Sequence, residues 1–151
     1  MRAVARMLAK EISDAFDDRQ RPVAESISET PQNDDGTAEF FTGKSWKDLT
    51  SRDLMTQRYA LGFFTPSAFV YFLPAFLTAA LETGNLDLIG EVVSAITPPK
   101  NNPKRPSYWR WWTLLTPSQQ RAVIKCLRHW NSLKYGNLES AANALEATVA
   151  A

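Results

Sequence analysis

From Tyr59 to Leu81 the chain reads YALGFFTPSAFVYFLPAFLTAAL, 23 positions without a charge, closed off by Arg58 and Glu82. An apolar tract of this length is either a membrane span or the central helix of a protein core. Its details favour the core. Thr65-Pro66-Ser67 is a helix start, with Thr65 as N-cap and Pro66 at the first helical position, where its missing N–H costs nothing. A helix from Pro66 to Leu81 is about 24 Å long at roughly 1.5 Å per residue, short of a hydrocarbon layer of roughly 30 Å. Pro74 also interrupts the hydrogen-bond ladder inside it. The tract therefore predicts a buried helix at about residues 65–83.

The flanks supply amphipathic helices to cover it. On the N-terminal side Thr50 is an N-cap with Asp53 at the third helical position, close to a capping box. Leu54, Arg58 and Leu61 carry that helix to about Gly62. On the C-terminal side Gly84 suits a stop and Asn85 the next start. Leu86, Ile89, Val93 and Ile96 then keep helical spacing over 86–96. Thr116-Pro117-Ser118 repeats the start device, and Val123, Leu127 and Trp130, flanked by Ile124, form the stripe that follows. After Gly136, Leu138, Ala141, Ala142 and Leu145 mark a last helix. At the other end Val4, Leu8, Ile12 and Phe16, with Met7 and Ala15 beside them, predict an amphipathic helix over 2–17.

Two segments read as connections. Residues 22–39 contain Pro22, Pro31 and Asn33-Asp34-Asp35-Gly36, the pattern of a flexible loop. Residues 98–107, with Pro98, Pro99, Pro103 and Pro106, read as a proline-rich basic loop. Tyr108 to Trp112 follow it as a short strand or as loop, because aromatics favour strands. No stretch alternates with a two-residue period. The expected fold is all-α: a compact single-domain bundle of five to six helices around the central apolar helix.

Composition narrows the function classes. At 151 residues one domain is expected, and 44% hydrophobic residues are enough to build a core. The lone cysteine, Cys126, excludes an internal disulfide framework and suits a reducing cytoplasm. Arg6, Lys10 and Glu11 interrupt any apolar core of a secretory signal near the start, so a cytoplasmic location is expected. The net charge is only +1, but it is segregated. Residues 1–42 carry five basic and nine acidic side chains, whereas residues 100–135 carry eight basic and none acidic. Either the two regions pair across the fold, or one of them meets a partner of opposite sign.

Catalytic constellations are sparse. His129 and Cys126 stand three apart on a predicted helix and share a face, which would suit a thiol–imidazole pair. No carboxylate lies within residues 100–135 to orient the ring, and Cys126 sits beside the Leu127 stripe, where an inert packed thiol is the common case. One Cys and one His cannot complete a Cys/His zinc site. The acids Asp14, Asp17, Asp18, Asp34 and Asp35 lack calcium-loop spacing. No glycine-rich loop is present to cradle phosphate. No cofactor and no metal are expected.

The strongest surface candidate is KNNPKRPSYWRWW, Lys100 to Trp112. Lys104, Arg105 and Arg110 interleave there with Tyr108, Trp109, Trp111 and Trp112. Such a mixture can stack bases and neutralise phosphates, can form a protein-binding hot spot, or can pack its rings into the core. Three near-contiguous tryptophans cannot all face inward from one regular element. At least one of Trp109, Trp111 and Trp112 is therefore expected to stay partly exposed.

Gly43-Lys44-Ser45-Trp46-Lys47-Asp48-Leu49-Thr50, followed by Ala60-Leu61-Gly62-Phe63-Phe64-Thr65-Pro66 and the helix through Leu77, resembles an uncharacterised family of small bacterial proteins. That family pattern is a G-K-x-W-x-D-L-T stretch and an A-L-x-F-F-T-P-x-A-F-x-Y-F-L-P-A-F-L helix. Leu115-Thr116-Pro117-Ser118-Gln119-Gln120 is similar to the family's late helix start. The likeness covers roughly residues 39–133 and implies no activity, cofactor or site. Family members often carry a cysteine-containing stretch before the tryptophan; this chain has no cysteine there, so no metal or redox role at that place carries over.

The functional expectation is a cytoplasmic protein-binding module and not an enzyme. The specific form is an immunity or inhibitor protein that neutralises a cognate toxin or effector enzyme by direct binding. Its contact residues would be Asp14, Asp17, Asp18, Asp34 and Asp35, or Lys104, Arg105, Tyr108, Trp109, Arg110, Trp111 and Trp112. The alternatives are nucleic-acid binding through the basic, aromatic-rich segment 100–134, and a small enzyme using Cys126 and His129. No membrane partner is expected.

Overall fold

The computed structural model describes residues 3–23 and 26–149. Among these residues there are eight α-helices: α1 (Ala3–Phe16), α2 (Thr37–Phe41), α3 (Ser51–Thr56), α4 (Pro66–Thr83), α5 (Leu86–Ile96), α6 (Pro106–Trp112), α7 (Pro117–Ser132) and α8 (Glu139–Glu146). The only β pairing among them is an isolated antiparallel bridge between Ser28 and Phe64. The protein is thus all-α, as its sequence predicts. Six helices correspond to the expected ones, although α3 ends at Thr56 rather than about Gly62, where a separate 3-10 turn (Ala60–Gly62) follows; α2 and α6 are additional short ones. Arg2, expected to open the first helix, and Ala24 and Glu25, within the expected 22–39 loop, lie outside the described residues.

The central helix forms for the reasons its sequence states. Thr65 caps α4 by accepting from the Ala68 N–H at 3.2 Å, Pro66 occupies the first position, and Gly84 closes the end in the left-handed region at φ 61°. Every residue from Ala68 to Leu77 is buried, so α4 has no solvent face over that stretch. It packs against α1, α3, α5 and α6. From α2, Phe41 adds a ring 4.8 Å from Phe72, and Phe64 stacks on the same ring at 5.3 Å. Each fully buried ring or leucine contributes about 1.5–3 kcal/mol of transfer free energy. No helix among the described residues is long and apolar enough to cross a membrane.

On α1 the buried face differs from the expected stripe. Ala5, Leu8, Ile12 and Phe16 point into the core, while Val4 is 53% and Met7 71% exposed. The reason is helical geometry. Steps of four residues drift by about 40° each, which places Val4 about 120° from Phe16 and Ala5 only about 20° from it. α1 docks on both α4 and α7.

The described part of the 22–39 segment is anchored rather than loose. Thr65 N–H donates to the Ile27 carbonyl at 3.0 Å, and Glu29 N–H donates to the Phe63 carbonyl at 3.1 Å. The Thr65 hydroxyl also donates to the Ser26 carbonyl. Ile27 itself is 2% exposed. One side chain therefore serves as N-cap of α4 and as the clip that holds the preceding segment. Thr65→Ala is expected to lower stability by about 1–2 kcal/mol and to raise amide exchange at residues 26–29, whereas Thr65→Ser retains most of both; urea unfolding and hydrogen exchange provide the check.

Candidate functional site

The acidic candidates divide into three situations. Asp14, Asp17 and Asp18 are exposed at the end of α1 and just beyond it. Asp14 pairs with Lys10 at 2.9 Å, and Asp17 pairs with Lys47. The hydrogen bond that Lys47 donates to Asp17, together with the carboxylate's charge, raises the Lys47 ammonium above the usual lysine value. Asp35 is also exposed, in the left-handed region at φ 54° and directly before Gly36 at φ 81°. It belongs to the turn into α2.

Asp34 is different: it is 2% exposed and serves the fold. Its carboxylate accepts from the Gly36 N–H at 3.1 Å and the Ala38 N–H at 3.0 Å, which fixes the start of α2. Burial alone would raise this carboxyl. The hydrogen bonds it receives from Ser28 and from the backbone of Ala38, Gly36 and Thr37 outweigh burial and hold it below the usual carboxylate range. Asp34 is therefore unavailable to a partner, contrary to its place among the contact candidates.

Segregated charge is partly paired across the fold. Lys125 on α7 reaches Glu11 on α1 at 2.8 Å. Arg19 donates to the Leu114 carbonyl at 2.8 Å and to Gln119 at 3.2 Å. Gln119 completes the Thr116 capping box and also donates to the Ala15 carbonyl at 3.1 Å. A shallow depression of about 420 Å³ lies where α1 meets the start of α7, lined by Met7, Lys10, Glu11, Asp14, Ala15 and Ser118.

Within Lys100 to Trp112, residues 100–105 form a non-helical connection as expected, whereas Tyr108 to Trp112 lie in helix α6 where a strand or loop was expected. Pro106 sits at its tolerated first position. Tyr108, Trp111, Trp112 and Leu115 recur at helical spacing and are all buried. This period was legible, but the prolines before it and the strand preference of aromatics masked it. The Tyr108 hydroxyl donates to the Ile96 carbonyl at 2.7 Å, and burial pushes that phenol's pKa up. Trp111 packs 4.5 Å from Phe69 of α4. Trp112 donates its indole N–H to Thr148 at 2.8 Å. Trp109 is the partly exposed member, as helical geometry requires, with its N–H on the Pro103 carbonyl at 2.8 Å. Tyr108, Trp111 and Trp112 are thus core residues, while Lys104, Arg105 and Arg110 are exposed.

Cys126 is wholly buried on α7, and burial, reinforced by the Glu11 charge, pushes its thiol pKa up. A thiol held protonated in this way is a poor nucleophile. Among the described residues no group of three or more His, Cys, Asp or Glu side chains is placed to hold a metal ion.

A family model described as "Family of unknown function (DUF6714)" matches residues 5–148, and the chain belongs to that family. Neither a curated relative nor a solved structure matches the chain.

Two outcomes follow from these placements. Iodoacetamide should label Cys126 far more slowly in the native protein than in denaturant at neutral pH, as mass spectrometry would record. Asp34→Ala should lower stability by about 1–2 kcal/mol at neutral pH. Because the folded-state pKa of Asp34 lies below its unfolded value, this contribution is present above the ordinary carboxylate range and lost as pH falls through the depressed one. The gap between wild type and variant should therefore close in acid, as urea unfolding across pH would reveal.

Proposed function

We propose that this family member is a cytoplasmic protein-binding module, and specifically an immunity or inhibitor protein that neutralises a toxin or effector enzyme with a basic surface. The observation that carries this reading is the outer face of α1. Val4 and Met7 stand exposed there, beside the depression that Glu11 and Asp14 border. Apolar side chains left in solvent next to carboxylates combine the two ingredients of a protein interface, desolvation and charge complementarity. The local ion pairs do not remove those carboxylates from use. Exposed pairs of this kind are worth about 0–1 kcal/mol, so a partner's arginines can displace Lys10 from Asp14 or Lys125 from Glu11 at little cost.

The nucleic-acid alternative keeps exposed cations across 100–134, although Lys125 pairs with Glu11 and Arg128 with Glu146. Its stacking surface is reduced to Trp109, because Tyr108, Trp111 and Trp112 are committed to the core. It predicts binding that weakens steeply with salt, by a slope of about −0.9 per phosphate contact on duplex DNA.

The protein-binding reading is tested by affinity purification from the native cell, using wild type, Met7→Glu and the triple variant Asp14→Lys, Asp17→Lys, Asp18→Lys. Wild type should retain a stoichiometric basic protein and inhibit its activity. Both variants should release it while keeping their unfolding midpoint. Equal retention by the variants removes the α1 surface, and absence of any stoichiometric partner removes the reading.

A further inference from the structure

A groove of about 380 Å³ opens between the turn at Ala60–Gly62, the start of α4, the end of α5 and α6. Its volume falls within the range of small-molecule sites, roughly 300–1,000 Å³. Phe64, Phe69 and Trp111 give it an aromatic wall, and these rings are already held in the core. Arg105, just before α6, and Arg110, within it, both border the groove. Among the described residues neither guanidinium makes an ion pair, and no side-chain hydrogen bond ties either one down. Glu29 is the carboxylate on the lining, yet it pairs with neither arginine. Thr97, just past the end of α5, borders the same groove; its hydroxyl oxygen is shielded from solvent and has no hydrogen-bond partner.

Each of these features asks for the same complement. A rigid aromatic wall accepts a flat apolar body by dispersion and area burial. Two guanidiniums present planar forks of donors that match a carboxylate. We infer that this groove binds a small organic monoanion, an aromatic or otherwise apolar body carrying one carboxylate, with the carboxylate held by Arg105 and Arg110. The site is separate from the α1 surface and stands or falls independently of the protein-binding reading.

The test titrates the full chain with naphthalene carboxylate and, in parallel, with its neutral carboxamide, following backbone amide NMR shifts. The carboxylate should bind one to one, shift residues of α6 and the end of α5, and bind about tenfold or more tighter than the amide, the difference expected of charge-assisted hydrogen bonds. In the double variant Arg105→Gln, Arg110→Gln, both side chains being exposed, the two probes should bind alike with the unfolding midpoint unchanged. Equal affinity of both probes for wild type overturns the inference. So do shifts confined to other surfaces, undiminished preference in the double variant, or no saturable binding up to about 1 mM, the limit of weak specific affinity.

Discussion

The constraint on which the structure depends is that α4 has no side it can show to water. From Ala68 to Leu77 every position is buried, and only a full ring of neighbours can achieve that. Apart from the gap in the ladder at Pro74, its backbone hydrogen bonds run along its own axis, so what remains is to cover apolar surface on all sides. The packing of α1, α3, α5 and α6 against it, with Phe41 of α2 inserted among its rings, follows from this requirement. The same requirement explains why Tyr108, Trp111 and Trp112 face inward despite their basic surroundings. They supply the bulk that closes α4 where the proline-rich crossover brings the chain back.

How much of this was legible depended on whether the signal was local. The starts at Thr50, Thr65 and Thr116 were readable because a cap is made by residues three apart, and all three are used as N-caps. The stop at Gly84 was readable for the same reason. α2 was not, because its start rests on the buried carboxylate of Asp34, which sequence reads equally as a turn residue or a surface acid. The segment after Pro22 read as loop because its anchors are Phe63 and Thr65, far along the chain. The face of α1 was misjudged by one residue, since a four-residue repeat resembles a stripe over two turns and departs from it over four.

Of the candidate site, residue types were legible and orientations were not. Interleaved cations and rings from Lys100 to Trp112 look like one mixed surface when written as a line. Coiled into α6, the rings at 108, 111 and 112 turn inward while Arg110 stays outside, so the apolar and cationic functions separate. The acidic cluster divides likewise: Asp34 belongs to the fold, and Asp14, Asp17 and Asp18 remain at the surface. Charge segregation, plain in the sequence, proves to be partly internal, since Lys125 meets Glu11 across the α1–α7 seam.

That seam has a consequence for biosynthesis. α1 docks on α7 through residues such as Ala15 and Gln119, which are 104 positions apart. A ribosome delivers chain in order, so α1 leaves the exit tunnel long before its second partner exists. α4 can shelter Leu8, Ile12 and Phe16 only in part when it emerges, and the remaining flank waits until α7 has been made. The nascent molecule thus carries a partly uncovered amphipathic helix from the synthesis of α1 until that of α7.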